Sequence, residues 1–317
     1  MAFRYMNIGD GVGIIPSAQL NVIEDAAFSK TGKAFSTNLT SGTCYLFTLP
    51  GYIGSDLWIM FDLYVNATSA DSFRLGYWTR ADTYSHKNLA WINGCYIYGK
   101  SLRLAVDAST ITSFTLPMKT LNRIWIHLHN EDGSDKSYGE ITFGGETKIQ
   151  TYTRNTDHIP IGAEVDALKT IALYFGDNDN FISNLIIADE YISPREQVVA
   201  LPISATDTDM TACKNGLYIA DTANLTLLQS VDAVALGELH GDNSQVTGIS
   251  LVGNPAYKTA EDSASLTSLS KSGGVVTEHD SFSLSDDTAS VIQSSRALSN
   301  TTIADLQNMQ FGWKAGA

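Results

Sequence analysis

Four stretches of the chain carry residue types and spacings that could do chemistry. Gly94-Cys-Tyr-Ile-Tyr-Gly99-Lys100-Ser101 matches G-x-x-x-x-G-K-[ST], the pattern whose backbone amides and lysine cradle nucleotide phosphates. His127 and His129 stand two apart in IWIHLH. A strand would put both imidazoles on one face, where a third ligand from a neighbouring strand would complete a metal site. Gly176-Asp177-Asn178-Asp179-Asn180 gathers alternating side-chain oxygens in a tight loop, a hard donor set able to take Ca²⁺. Tyr77, Trp78, Tyr84, Trp91, Tyr96 and Tyr98 crowd one region. Exposed rings of this kind stack on sugar faces while polar neighbours take the hydroxyls, and alternation pairs Tyr96 with Tyr98 on one face.

Each stretch also has a plain structural reading. A half-buried sandwich needs aromatics as core, Asp and Asn favour turns for backbone reasons, and strand histidines are commonly packed or solvated without a metal. No cluster of partners for His127 and His129 is visible in the sequence, and no Ser-His-Asp or Cys-His arrangement stands out.

The elements that must position these residues are strands. From Ala34 to about Tyr191 the recurring signal is short β-branched and aromatic runs separated by Gly, Asn, Asp and Ser: CYLFTL, LWIMFDLYV, SFRLGYWT, AWINGCYIYG, SLRLAVDA, IWIHLHN, GEITFGG, TIALYFG and FISNLIIADEYI. Such spacing predicts an antiparallel, all-β sandwich. In Ile124 to His129 the aliphatic residues share one face, with Trp125 and both histidines on the other, and Asp132-Gly133 is expected to reverse the chain before the next strand. Helical periodicity is almost absent. A phosphate loop needs a glycine-rich turn followed by a helix whose N-terminal amides meet the phosphate. Here Cys-Tyr-Ile-Tyr is bulky and strand-forming, and Leu-Arg-Leu-Ala-Val-Asp after Ser101 alternates as a strand, so Gly99-Lys100 is read as a hairpin turn and nucleotide binding is not expected.

Bulk properties narrow the partners. The 317 residues are comfortable for two domains, and 20 basic against 34 acidic residues give a net charge of -14, which repels nucleic-acid phosphates and anionic headgroups. No apolar run approaches the ~20 residues that span a bilayer, so no membrane insertion is expected. MAFRYMNIGDG lacks a basic n-region and an apolar h-region, so an ordinary cleaved export signal is not expected either. Cys44, Cys95 and Cys213 are odd in number and widely spaced, which predicts buried thiols rather than disulfides, and the sequons at Asn38, Asn66 and Asn224 then carry little weight.

ISPREQVVALP breaks the strand pattern: Ser193-Pro194 should start a short helical turn, with Pro202 stopping it, and a domain boundary is placed at residue 202. The second part is rich in Ser, Thr, Ala and Asp. SVDAVALGELHG is expected to be a helix, capped by Ser230 and ended by Gly241, with Asp232 complementing its positive end. VTGISLVG, SVIQSSRALS and MQFGWKA read as strands, Gly273-Gly274 as a hairpin reversal, and Thr302 to Asp305 as the cap of a short helix.

These residues resemble a known class. The IWIHLHNEDG strand and turn, GEITFGG and the closing FISNLIIADE look like a concanavalin A-like (laminin G-like) jelly-roll sandwich over residues 1–202. ISNLIIADEYISPREQVVALP, followed by a small β-rich part over 203–317 that ends in TIADLQNMQFGWKA, resembles phage and prophage virion proteins of the tail-fibre or surface-appendage kind. The resemblance implies a virion protein assembled in the host cytoplasm. It also implies a homo-oligomer, with a trimer favoured, that contacts other virion proteins through an attachment or oligomerisation domain; a fibre or spike would take a host-surface glycan as ligand, and a capsid or tail decoration would need none. Proteins similar to laminin G domains often hold calcium at a rim loop, which is what Asp177, Asn178, Asp179 and Asn180 would supply; no other cofactor is expected. Tyr77, Trp78, Tyr96 and Tyr98 would form the carbohydrate platform. Jelly-roll enzymes cut β-glucans with an E-x-D-x-x-E strand, and this chain has no such triplet, so no catalytic residues are assigned. A glycoside hydrolase or lyase with acids assembled from separate strands stays open as the alternative to a non-enzymatic fibre, spike or decoration protein.

Overall fold

The computed structural model describes residues 4–10, 20–37, 43–48, 56–66, 73–78, 91–98, 101–106, 109–129, 137–152, 170–175, 180–213, 218–253, 264–284 and 292–316. It divides into two compact units, Met1–Val199 and Ala200–Ala317.

The first unit is a sandwich of two antiparallel sheets. One sheet contains β1 (Arg4–Asn7), β2 (Leu20–Ile23), β3 (Ala34–Thr37), β5 (Asp56–Val65), β10 (Leu121–His129), β11 (Ser137–Phe143), β12 (Glu146–Tyr152) and β14 (Asn180–Ala188). Its order is β12-β11-β10-β5-β14-β3-β2, with β1 also paired to β14. The second sheet runs β4-β13-β6-β7-β8-β9, built from β4 (Thr43–Thr48), β6 (Phe73–Trp78), β7 (Trp91–Tyr98), β8 (Ser101–Val106), β9 (Ser109–Thr115) and β13 (Thr170–Phe175). The pairings are antiparallel. β1 and β2 are strands that the sequence reading did not pick out, because RYMN and LNVI are too short to display alternation.

Alternation decides the core. Leu57, Ile59, Phe61, Leu63 and Val65 of β5 lie on the face shared with Ile124, Ile126 and Leu128 of β10, all buried, and Leu102, Phe114 and Leu116 pack against them. Each such side chain contributes about 1.5–3 kcal/mol by leaving water. The odd-and-even rule then sends Trp58, Met60, Asp62, Arg123, Trp125, His127 and His129 to the outer face, as the sequence predicted for β10.

Half of that outer face is covered by the segment after β14. Ile192 and Val198 bury against Met60, Trp125, Ile186 and Ala188. Polar clasps fix the cover: the Trp125 indole N–H donates to the Ile192 carbonyl at 2.7 Å, and Arg123 donates to the carbonyls of Pro194 (3.2 Å) and Glu196 (2.9 Å). The same guanidinium grips buried Asp62 with two bonds of 2.7 and 2.8 Å. A bulge between Ser183 and Ile186 puts Asn184 at φ 51°, from where it donates to Asp62 and accepts the Val198 N–H at 2.6 Å. The helical turn expected at Ser193-Pro194 is a single turn closed by Ser193 and Glu196, and the chain then continues extended over the sheet.

The second unit has a five-stranded antiparallel sheet, order β15-β18-β23-β20-β21. Its strands are β15 (Ile203–Thr208), β18 (Thr226–Val231), β20 (Ala264–Ser272), β21 (Val275–Leu284) and β23 (Met309–Gly316); separate pairs join β16 (Thr211–Ala212) to β17 (Tyr218–Ile219) and β19 (Gly248–Gly253) to β22 (Ile292–Ala297). The hairpin at Gly273-Gly274 has φ of 56° and 82°, the double left-handed turn that glycine permits. Helix α1 spans Ala233–His240 and ends at Gly241, but Asp232 caps it by accepting the Ala235 N–H, not Ser230. Ser230 is committed to β18, where it pairs with Ala205 and Gln310. Thr302 and Asp305 close reciprocal bonds ahead of the 3-10 turn Ala304–Asn308, as the sequence predicted. Cys213 is exposed rather than buried. Cys44 and Cys95 lie in strands whose side chains are not described. Among the described residues no helix is long and apolar enough to cross a membrane.

Candidate functional site

Beyond the covering segment, and uncovered among the described residues, the outer face brings together titratable and aromatic side chains from three adjacent strands. Register explains the cluster. His127 pairs with Trp58 of β5 on one side and with Glu140 of β11 on the other, and His129 pairs with Asp56 and Tyr138. Residues opposite one another in antiparallel strands share a face, and so do residues two apart along one strand. Two rows therefore stack: Trp58, His127, Glu140 and then Asp56, His129, Tyr138.

Asp56 is the hub. Its Oδ1 lies 2.7 Å from His127 Nε2 and 2.7 Å from His129 Nδ1. On the far side of the ring, His127 Nδ1 faces the Tyr138 hydroxyl at 3.4 Å and Glu140 Oε2 at 3.7 Å. Trp58 lies flat on His127, centroids 3.5 Å apart and planes 6° apart, while Tyr138 meets the same imidazole edge-on at 5.2 Å. Tyr191, 60% exposed, meets Trp58 edge-on at 5.2 Å.

Burial is the largest influence on His127 and pushes its pKa below the ordinary histidine value, against the upward pull of Asp56 and Glu140. The contact with Asp56 is thus a neutral imidazole hydrogen-bonded to a carboxylate at neutral pH, rather than a full ion pair. Burial, then Asp56 and Glu140, raise the Tyr138 phenol, which keeps its proton. The site offers two carboxylates, two imidazoles, a protonated phenol and two large rings.

His127 and His129 are thus brought together with a third acceptor that the sequence reading did not find. Asp56 was hidden because it sits 71 positions from His127 in the chain. The alternation of LWIMFDLYV was the available signal, but the pairing of β5 beside β10 is set by topology. The Asp132-Gly133 reversal lies outside the described residues.

Tyr77 and Trp78 fall in β6 and Tyr96 and Tyr98 in β7; Tyr77 pairs with Asn93 and Tyr96 with Arg74, and the side chains of all four lie outside the described residues. Gly94 to Tyr98 lie in β7, antiparallel to β8 with Tyr98 opposite Ser101, and the hairpin turn expected at Gly99-Lys100 lies outside the described residues. Asp177, Asn178 and Asp179 lie outside the described residues. Asn180 is buried at the start of β14, where its Oδ1 accepts the Asn66 backbone N–H at 3.0 Å.

No family model and no curated protein matches the sequence. Among solved structures the chain is similar to a protein of unknown function from Shewanella oneidensis MR-1, at TM-score 0.38 and 10% identity, covering 59% of this chain and 85% of that one. It is also similar to peanut lectin (TM-score 0.36, 9% identity, 59% of this chain and 96% of that one). A third similarity is to a β-glucanase catalytic domain from Podospora anserina (TM-score 0.34, 12% identity, 56% and 81%).

Proposed function

We propose that this chain is a non-enzymatic surface protein of a phage virion, a fibre, spike or decoration subunit, and that its sandwich binds a host-surface glycan at the uncovered end of the eight-stranded sheet. The observation that carries the glycan reading is the exposed Tyr191 ring set edge-on to Trp58, beside Asp56, His129, Tyr138 and Glu140. Aromatic faces take the C–H side of a sugar ring, and carboxylate, imidazole and phenol groups take its hydroxyls. The virion assignment is supported by the joint ISNLIIADEYISPREQVVALP and the tail TIADLQNMQFGWKA. Association into a trimer, proposed with it, is supported by β21, an edge strand of the five-stranded sheet with Val275 and Val276 exposed.

The test is binding of the intact chain to arrayed bacterial lipopolysaccharides and capsular polysaccharides, with Tyr191→Ala in parallel. Saturable binding that falls about tenfold or more in Tyr191→Ala, the size expected for a lost stacking anchor, supports the reading. Binding equal in both proteins, or none to any bacterial polysaccharide, overturns it.

The second reading is a polysaccharide hydrolase or lyase, favoured by the contact between Tyr138 and His127, an acid and a base within reach of one another. Two features count against it. The His127 ring fills the space between Asp56 and Glu140, where a scissile glycosidic bond would have to lie. Burial, with Asp56 and Glu140 beside it, keeps the Tyr138 phenol protonated and so unable to accept a proton, and the carboxylates repel a polyuronate chain. Reducing-end and unsaturated-product assays on polysaccharides that bind separate the two readings.

A further inference from the structure

We propose that Asp56, His127 and His129 bind a divalent first-row transition-metal cation, zinc being the ion their donor atoms suit best. Asp56 Oδ1, His127 Nε2 and His129 Nδ1 all lie within 4.8 Å of one another. Two imidazole nitrogens and one carboxylate oxygen select a borderline-soft cation over calcium or magnesium, which prefer sets made of oxygen alone.

The surroundings of His127 support the assignment independently of that spacing. A ligating histidine usually turns its second ring nitrogen to a carboxylate or another acceptor, which fixes its tautomer and its orientation. The Nδ1 of His127 has the Tyr138 hydroxyl at 3.4 Å and Glu140 Oε2 at 3.7 Å, within a short side-chain movement of such a contact. Trp58 stacked on one face and Tyr138 against the edge leave the imidazole little rotational freedom, so the donor atom is already aimed.

Binding re-spaces the three donors. A tetrahedral zinc with ligand bonds of about 2.0–2.2 Å spaces its donors at roughly 3.3 Å. Asp56 Oδ1 stands 2.7 Å from each nitrogen, so the carboxylate must withdraw by roughly half an ångström. Asp56 is the first residue of β5 and His129 the last of β10. In the metal-free protein the two ring N–H groups point at Asp56; on binding, each proton moves to the other nitrogen of its own ring, that of His127 coming to face Glu140. Protons move only within each ring, so none is gained or lost in the step. Three protein ligands leave a fourth position for water.

The inference stands apart from the glycan reading, because it is tested with metal alone. The intact chain is stripped with a chelator, dialysed and titrated with ZnCl₂ by calorimetry, and with Co²⁺ by absorption. One equivalent of zinc per chain, a rise in thermal midpoint, and cobalt bands of a four-coordinate nitrogen and oxygen site without a thiolate charge-transfer band are expected. His129→Ala should abolish that equivalent. Glu140→Gln, which removes no ligand and keeps the fold, should weaken it by roughly 10–100-fold. Absence of a saturable equivalent in the wild type, its retention in His129→Ala, or unchanged affinity in Glu140→Gln would each overturn the proposal; should His129→Ala fail to fold, the Glu140→Gln affinity and the cobalt spectrum decide. If zinc binds and no polysaccharide does, this inference holds and the glycan reading fails.

Discussion

Trp58 and His127 lie face to face across the β5 and β10 pairing, ring centroids 3.5 Å apart and planes 6° apart. The stack joins the two parts of the outer face. On one side Trp58 also packs near Trp125, whose indole pins the covering segment; on the other it holds the imidazole that Asp56, Tyr138 and Glu140 address. Structure and candidate site therefore share this ring.

Trp58→Ala should cost the sandwich about 2–3 kcal/mol, below the roughly 3–5 kcal/mol of a fully buried tryptophan because the ring is only half-buried. Denaturant unfolding measures it, and Trp58→Phe should restore a large part of the loss.

Arg123→Ala should be severe. Asp62 is 1% exposed, and without the guanidinium its carboxylate keeps only the Asn184 amide among the contacts described above. Removing one partner of a buried pair typically costs about 3–5 kcal/mol. The Pro194 and Glu196 carbonyls lose their donor as well, so the covering segment should become sensitive to protease before the sheets unfold, which limited proteolysis with mass spectrometry would detect.

Gly312→Ala should unfold the second unit or leave it only marginally stable. A Cβ there would sit 1.7 Å from the Leu227 carbonyl oxygen, which is backbone and cannot step aside. The loss should reach ~3 kcal/mol or more, read as disappearance of the unit's own transition in calorimetry. Gly273→Ala, at the open hairpin turn, should cost far less.

The cap at Asp305 predicts a pH dependence with a definite sign. Bonds from the Thr302 hydroxyl and backbone N–H hold the carboxyl below its ordinary pKa in the folded chain. Its stabilising contribution is therefore complete above the ordinary carboxylate value of about 3.9 and is lost as the pH falls through the lower folded value. The difference in thermal midpoint between the wild type and Asp305→Ala should stay constant from neutral pH down to about pH 5 and shrink below about pH 4.

The sandwich was legible in the sequence because its strongest strands alternate in the open. IWIHLH separates a core face from a solvent face by inspection, and Gly273-Gly274 announces its hairpin. Misreadings came where one residue type serves two elements. Ser230 resembles a helix cap until β18 claims its backbone, leaving the cap to Asp232. Ser193-Pro194 does start the expected turn, but it closes at Glu196 rather than running to Pro202, and Ile192 and Val198 on either side bury against the sheet. The site was half legible: His127 and His129 were visible from spacing alone, whereas Asp56, Tyr138 and Glu140 join them only through strand order and register. No local pattern encodes the placement of β5 beside β10.

Hydrogen–deuterium exchange on the intact chain, with and without a saturating polysaccharide selected from the array, tests most directly where the ligand sits. Protection confined to peptides covering 56–58, 127–129, 138–140 and 190–192 is the result expected for a ligand on the uncovered end of the eight-stranded sheet. Protection on β6 and β7 with those peptides unchanged would contradict it and move recognition to the opposite sheet.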